Sequence, residues 1–148
     1  MEKKTNPTYP VLIIGAGLTG LTLAYYLKKK GITAHLLEAR PRIGGRILTK
    51  YQNDAAPSEM GATWLGKKHH ELNKLLTELD LKIFEQILGD RAIYEPISTS
   101  SPHLVSLPLN NDPSYRIKEG SSTLIVTLAD KVGKENILLN QVVTNILR

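Results

Sequence analysis

Short apolar runs alternate with a helical stripe over the first quarter of the chain. Val11–Ile14 is a four-residue, β-branched run closed by glycine, which is typical of a fully buried strand. Lys28–Lys30 and Gly31 suit the end of a helix, and Thr33–Glu38 predicts a second strand. Between the strands, helical spacing links Leu18, Leu21, Ala24, Tyr25 and Leu27. Strand, helix and strand predict a βαβ unit with a parallel sheet and a right-handed crossover.

The remaining pattern predicts two further helices and several short strands. Apolar positions at helical spacing predict a helix over roughly His70–Leu79, and Ser121 or Ser122 is expected to cap another that stops at Gly133. Ser98–Ser114, rich in serine, proline and asparagine, predicts a loop or a crossing between regions. Strands are predicted at Ile47–Tyr51, Leu81–Gln86, Arg91–Ile97, Ile137–Leu139 and Val142–Ile146.

Composition narrows the class of protein. A length of 148 residues predicts one domain, or one domain plus a fragment of a second. The absence of cysteine excludes disulfides, thiolate metal sites and a cysteine nucleophile. No charge occurs between Thr5 and Leu27, but the apolar run there is only four residues long and glycines interrupt it. We therefore expect no membrane span and a cytoplasmic location.

The net charge of +5 is compatible with nucleic acid, an anionic membrane surface or a phosphate-bearing ligand. Aromatic residues make up only 5% of the chain, which disfavours a nucleic-acid reader. His69-His70-Glu71 lacks a second histidine at the spacing that a helical metal site requires, so no metal is predicted. No catalytic side chain is identified.

A dinucleotide-binding fingerprint, Gly15-x-Gly17-x-x-Gly20, lies between the first strand and the first helix. Gly15 permits a tight turn, Gly17 allows a pyrophosphate to approach the backbone, and Gly20 lets the helix pack close to the strand. The helix N-terminus then attracts the anion. Glu38 ends the second strand, where a carboxylate accepts ribose hydroxyls and repels the 2′-phosphate of NADP.

The fingerprint leaves two questions open. It does not separate FAD from NAD, and its glycines could be plain turn residues with Glu38 a surface acid. The following loop carries Arg40, Arg42 and Arg46 around Gly44–Gly45. These arginines could neutralise a pyrophosphate, or they could form a solvated basic loop.

Four segments carry a resemblance to a known family. After the glycine fingerprint, Glu38–Arg46 reads Glu-Ala-Arg-x-x-x-Gly-Gly-Arg, and Glu59–Gly66, Arg116–Leu124 and Asn140–Ile146 follow in order. Together they resemble the flavin-containing amine oxidase family, which includes monoamine and polyamine oxidases. One departure lies at Glu119, where the family more often has glycine.

The resemblance implies FAD as the cofactor. Its pyrophosphate is expected at the glycine turn, its ribose at Glu38, its isoalloxazine near Gly61–Trp64 and its adenine at the backbone of Val143. Simple packing is an equally open role for Trp64. The implied cofactor-binding residues are Gly15, Gly17, Thr19, Gly20, Glu38, Ala39, Arg40, Gly45, Arg46, Gly61, Ala62, Thr63, Trp64 and Val143.

The fold class predicted is α/β: a Rossmann-like FAD/NAD(P)-binding domain with a parallel sheet and a small β-containing addition, ending before the family's second half. The expected parts are a flexible N-terminus (1–9), an FAD-binding unit with a flavin-facing segment (10–66), a partial substrate-side region (67–115) and a return to the FAD-binding domain (116–148). About 50 residues separate the flavin-facing segment from the return, which is short for a substrate domain.

The resemblance also implies an activity for the intact enzyme: oxidation of a small-molecule amine to an imine, with dioxygen reduced to peroxide. This chain alone is expected to be inactive and to need a second half or a partner chain. Two alternatives stay open, another flavoprotein of the desaturase or protoporphyrinogen oxidase type, and a non-catalytic nucleotide-binding module.

Overall fold

The computed structural model describes residues 11–53, 56–87, 89–108 and 112–147, which form two compact units. The first unit comprises residues 11–63 and 119–147, and the second comprises residues 64–118. In chain order the elements are β1 (Val11–Ile14), α1 (Leu18–Lys29), β2 (Ala34–Leu37), β3 (Thr49–Lys50), β4 (Ser58–Glu59), β5 (Leu65–Gly66), α2 (His70–Glu78), β6 (Ile83–Glu85), β7 (Arg91–Tyr94), β8 (His103–Ser106), β9 (Ser114–Ile117), α3 (Ser122–Val132), a 3₁₀ turn (Lys134–Asn136) and β10 (Ile137–Leu138).

A three-stranded parallel sheet organises the first unit. Its order is β1-β2-β10, and β1 and β2 pair in register from Val11 with Ala34 to Ile14 with Leu37. Because α1 connects two adjacent parallel strands, the predicted βαβ unit is confirmed. All three strands end at the same edge of the sheet, which is where ligands bind in folds of this kind.

The core of the first unit lies between the sheet and helices α1 and α3. Leu21 and Leu36 are fully buried, as is Leu128 on α3. Full burial of one leucine stabilises the folded chain by about 2 kcal/mol. This buried layer therefore stabilises the sheet and helices that position the glycine turn. A hydrogen bond also links the two helices, since the Lys28 ammonium donates to the Val132 carbonyl at 3.0 Å.

The turn that precedes α3 contains a strained residue. Glu119 has a φ of 69°, in the left-handed region that side chains with a Cβ disfavour. Its carbonyl accepts a hydrogen bond from the Tyr51 hydroxyl at 2.9 Å, which holds the backbone in place. The structure thereby gives a physical reason for the glycine that the resemblance led us to expect here.

We predict that Glu119→Gly stabilises the chain by about 1 kcal/mol, because glycine adopts this φ without steric cost. The melting temperature should rise by about 3 °C, measured by circular dichroism. Glu119→Ala is the matched control, since it removes the carboxylate but keeps the strained Cβ. An equal gain in both variants would assign the effect to the charge and contradict the strain argument.

The second unit is built on antiparallel pairs. Strand β9 lies between β5 and β6, and β7 pairs with β8 in a separate hairpin. Helix α2 buries Leu75 and Leu76, which confirms the helix predicted over His70–Leu79. At the surface Lys68 donates to Asp112 at 2.6 Å, and this bond lowers the pKa of the Asp112 carboxyl.

Two predictions of secondary structure were wrong, and a third was confirmed only in part. Val142–Ile146 is not a strand within the described residues; its apolar side chains find no neighbouring strand, and Val142 is 66% exposed. Ser98–Ser114 is not only a loop, because β8 lies inside it and pairs with β7. Ser121 is the N-cap residue of α3 and Gly133 its C-cap, as predicted, but the Ser121 side chain makes no cap bond.

Other predicted strands are confirmed but shorter than expected. A strand extends only as far as its backbone pairs with a neighbouring strand. The strand predicted at Ile47–Tyr51 is therefore limited to β3, and the one predicted at Leu81–Gln86 is limited to β6. Across the described part of the chain, no helix is long and apolar enough to cross a membrane.

Candidate functional site

The glycine turn after β1 is fixed by backbone hydrogen bonds on both sides. The Gly15 N–H donates to the Leu37 carbonyl at 2.8 Å, and the Gly44 N–H donates to the Ala16 carbonyl at 2.9 Å. Gly15 has a φ of 97°, a conformation that glycine adopts readily. The turn is therefore tied at once to the end of β2 and to the arginine-containing loop.

Gly17 and Gly20 are required for different reasons. A Cβ at Gly20 would lie 2.1 Å from the Gly15 carbonyl oxygen, so only glycine lets α1 pack this close to the turn. A Cβ at Gly17 would meet nothing within 4 Å. The fold itself leaves the space at Gly17 open, and a bound ligand can fill it.

The first turn of α1 presents free N–H groups beside that space. The first intrahelical bond runs from the Leu21 N–H to the Gly17 carbonyl, so the amides of Leu18, Thr19 and Gly20 precede it. Gly17 is the N-cap residue and has no side chain that could accept these N–H groups, and the first turn contains no acidic residue. Backbone donors and the positive end of the helix dipole thus converge where an anion is favoured.

Glu38 is a buried carboxylate at the end of β2, 7% exposed. One of its oxygens accepts the Ala16 N–H at 2.9 Å and the other accepts the Arg40 N–H at 3.0 Å. A carboxylate offers about four acceptor positions, so two remain for the hydroxyls of a ribose. Glu38 therefore stabilises the turn and keeps capacity for a ligand.

We predict that Glu38→Gln destabilises the chain by about 2 kcal/mol, because the amide nitrogen faces a buried N–H that then lacks an acceptor. Chemical denaturation measures the change. Asp130→Asn is the matched control: it neutralises an exposed acid that pairs with Lys134, and should change stability by less than about 0.5 kcal/mol. Equal effects in the two variants would refute the buried-acceptor role.

The loop after Glu38 uses two of its arginines for its own structure. The Arg42 guanidinium donates to the Gly45 carbonyl at 2.9 Å and to the Ile43 carbonyl at 3.1 Å. Arg40 reaches the same Gly45 carbonyl at 3.4 Å. Arg46 is exposed, and no hydrogen bond or ion pair joins its side chain to the described residues. Of the three, Arg46 retains the most donor capacity for a phosphate.

Two hydrogen-bonded segments, residues 46–48 and 60–62, line the cleft beside the glycine turn residues and form what we call its wall. The Ala62 N–H donates to the Arg46 carbonyl at 3.1 Å, and the Met60 N–H donates to the Leu48 carbonyl at 2.8 Å. A Cβ at Gly61 would lie 2.0 Å from the Arg46 carbonyl oxygen, so glycine is needed for this close crossing. The Gly61 backbone therefore lies directly against the Arg46 carbonyl, with no side chain between them.

These pieces enclose one open cleft of about 1100 Å³ in the first unit. It is lined by eleven of the fourteen residues implied in cofactor binding, namely Gly15, Gly17, Thr19, Gly20, Glu38, Ala39, Arg40, Gly45, Arg46, Gly61 and Ala62. Further lining residues absent from that set are Ile14, Leu18, Arg42, Gly44, Ile47, Leu48 and Met60. Most of these residues are adjacent in sequence to a motif glycine. That adjacency is the sequence signal that could have identified them as lining residues.

Three of the implied residues do not line the cleft. The Thr63 hydroxyl is buried and has no hydrogen-bond partner among the described residues. Trp64 is 53% exposed, belongs to the second unit, and lies 4.9 Å from the Arg116 guanidinium in a cation–π contact. Val143 is half-buried and lies two residues after Gln141, whose N–H donates to the Glu38 carbonyl at 2.8 Å.

The cleft suits FAD on two structural observations. A Cβ at Gly17 would meet no protein atom within 4 Å, so the backbone there is open to a pyrophosphate. Glu38, which lines the cleft, is a buried carboxylate that keeps acceptor positions for the hydroxyls of a ribose.

Comparison with known proteins agrees with this geometry. The model of a family described as flavin containing amine oxidoreductase matches residues 18–100. A flavin-containing amine oxidase from Oncorhynchus mykiss is 31% identical over 101 residues, which are 68% of this chain and 19% of the relative. A probable flavin-containing monoamine oxidase A from Dictyostelium discoideum is 40% identical over 78 residues, 53% of this chain and 17% of the relative.

A solved structure shares the fold. Cyclohexylamine oxidase from Brevibacterium oxydans IH-35A superposes with a TM-score of 0.75 at 16% identity, covering 90% of this chain and 51% of that one. The predicted α/β fold is thereby confirmed. This chain spans about half the length of that structure, and its matched segments are less than a fifth of either relative.

Proposed function

Because the chain belongs to the flavin-containing amine oxidoreductase family, we propose that the cleft of its first unit binds FAD for an amine-oxidising enzyme. The observation that carries this proposal is the open backbone space at Gly17, directly beside the uncapped N-terminus of α1. An elongated anionic dinucleotide would meet that space, the Glu38 carboxylate and the Gly61 wall along one cleft, which all three line.

We propose a role for each part of the cleft. The amides of Leu18 and Thr19 hold the pyrophosphate, and Arg46 neutralises it. The two spare acceptor positions of Glu38 bind ribose hydroxyls. Gly61 and Ala62 support one edge of the isoalloxazine by backbone contact. FAD held there would supply the redox chemistry, which is acceptance of a hydride equivalent from the amine and transfer of electrons to dioxygen.

The substrate of the whole protein is proposed to be a small-molecule amine. The second unit, residues 64–118, is short for a complete substrate domain. We therefore expect the 148-residue chain to produce no amine-dependent peroxide by itself, and to require further chain or a partner for turnover. Amine-dependent peroxide from the purified chain would refute this part of the proposal.

The Val143–adenine contact and the cytoplasmic location stay predictions from the sequence.

Thermal stability in the presence of nucleotides tests the cofactor. FAD at 100 times its dissociation constant should stabilise the folded chain by about 2.7 kcal/mol, and ADP should give part of that shift. NADP⁺ should give little, because its 2′-phosphate meets the Glu38 carboxylate. A melting temperature unchanged by FAD and ADP would contradict dinucleotide binding.

A further inference from the structure

A cluster of four polar residues joins the cleft wall to the start of α3. Thr49 and Glu59 are directly opposed across the β3–β4 pair. The Thr49 hydroxyl donates to the Glu59 carboxylate at 3.0 Å, whose second oxygen accepts the Ser121 N–H at 2.6 Å. The Ser122 N–H donates to the Thr49 hydroxyl at 2.9 Å, and the Ser122 hydroxyl accepts the Thr49 N–H at 2.7 Å. We call these four residues the clamp.

The clamp supplies the N-terminal cap that α3 lacks. Ser121 makes no side-chain cap bond, and the first turn of α3 contains no acidic residue. Glu59 brings a negative charge to the positive end of the helix dipole from a different strand. Thr49 and Ser121 are buried, at 6% and 4% exposure, so these bonds are partly shielded from water.

A glycine keeps this approach open. A Cβ at Gly120 would lie 2.5 Å from the Thr49 Cγ2 atom and 2.9 Å from its hydroxyl. Gly120 also has a φ of 98°, which glycine adopts without strain. The turn before α3 is therefore shaped to admit Thr49, which indicates that the clamp is a specific contact.

The clamp lies next in sequence to both segments of the cleft wall. Leu48 precedes Thr49 and lines the cleft, and Met60 follows Glu59 and lines it too. The Met60 N–H to Leu48 carbonyl bond, 2.8 Å long, connects the two segments one residue beyond the clamp. A change in the position of Glu59 would therefore act on residues 60–62 through the backbone.

From this arrangement we infer that Glu59 is a positioning residue, which with Thr49 holds the Met60–Ala62 wall at the distance that FAD requires. The inference rests on the proposed function, because it assigns a purpose to the same cleft. Glu59 does not line the cleft, so it acts through the backbone of the residues that follow it.

The test compares substitutions at opposite ends of α3. Glu59→Gln removes the charge and one acceptor at the N-terminal end. Asn136→Ala removes a bond at the C-terminal end, where the Asn136 amide donates to the Val132 carbonyl at 3.1 Å. Both variants loosen the same helix, but only the first touches the clamp. Equilibrium titration of the full chain with FAD, followed by flavin fluorescence, gives the affinity of each.

We expect Glu59→Gln to weaken FAD binding about tenfold, and Asn136→Ala to bind FAD as the unsubstituted chain does. The visible circular dichroism of the bound flavin should change only in Glu59→Gln, because only there does the wall shift. Equal loss of affinity in both variants, or none in Glu59→Gln, would overturn the positioning role.

Amide hydrogen exchange without FAD separates this inference from the proposed function. In Glu59→Gln the Met60 and Ala62 amides should exchange about tenfold faster, while the Gly15 amide, bonded to Leu37, should not change. Unchanged exchange at Met60 and Ala62 would refute the clamp even if FAD binds. If these amides exchange faster in Glu59→Gln but the unsubstituted chain does not bind FAD, the clamp still supports the wall. That outcome would refute only the cofactor proposal.

Discussion

Replacing Gly17 with alanine is expected to weaken FAD binding about a hundredfold while leaving the chain folded. The added Cβ meets no protein atom within 4 Å, and the Gly17 backbone, at φ −80° and ψ −176°, accepts alanine without strain. In the complex the same methyl occupies the space through which the pyrophosphate reaches the α1 amides. Overpacking of that kind costs up to about 3 kcal/mol, and each 1.4 kcal/mol is tenfold in affinity.

Fluorescence titration gives the affinity for FAD, and chemical denaturation gives the stability of the same preparation. Gly66→Ala is the matched control, because its Cβ also meets nothing within 4 Å but lies outside the cleft. It should leave FAD binding unchanged. If Gly17→Ala binds FAD normally, the pyrophosphate does not approach this turn and the assigned orientation is incorrect.

The substitution with the largest expected effect on stability is Gly20→Ala. In an exposed helix, glycine to alanine stabilises by about 1 kcal/mol. Here the new Cβ would lie 2.1 Å from the Gly15 carbonyl oxygen and 3.2 Å from the Ile13 Cγ2 atom. A backbone atom cannot move aside as a side chain can, so we expect a loss of about 3 kcal/mol.

Urea denaturation of Gly20→Ala beside Gly17→Ala measures this difference directly. The two sites are three residues apart in one turn and receive the same methyl group. A large loss at Gly20 with little change at Gly17 follows from the geometry. Gly20→Ala with the stability of the unsubstituted chain would show that α1 packs less closely on β1 than the structure indicates.

The parts of the fold that the sequence predicted are those fixed by local patterns. A β-branched run closed by glycine predicted β1, and helical spacing with a terminal glycine predicted α1. The glycine fingerprint identified the cleft because each of its glycines has a local backbone reason. Glu38 was predicted for the ligand, but its second role, holding the Ala16 and Arg40 amides, depends on contacts that spacing does not reveal.

The missed features depend on distant parts of the chain. Strand β8 lies between proline- and serine-rich stretches and becomes a strand only by pairing with β7. Val142–Ile146 has a strand-like composition, but without a neighbouring strand no ladder forms among the described residues. The Glu59 carboxylate reaches Ser121 across 62 residues, so an expected serine cap was replaced by a cap from another strand.

We propose that FAD lies along the cleft between the N-terminus of α1 and the Gly61 wall. Backbone amide NMR of the ¹⁵N-labelled chain during titration with FAD tests this most directly. We predict the largest shift changes at Gly17, Leu18 and Thr19 and, with FAD but not with ADP, at Gly61 and Ala62. Changes confined to other residues, or no changes at saturating FAD, would contradict the account.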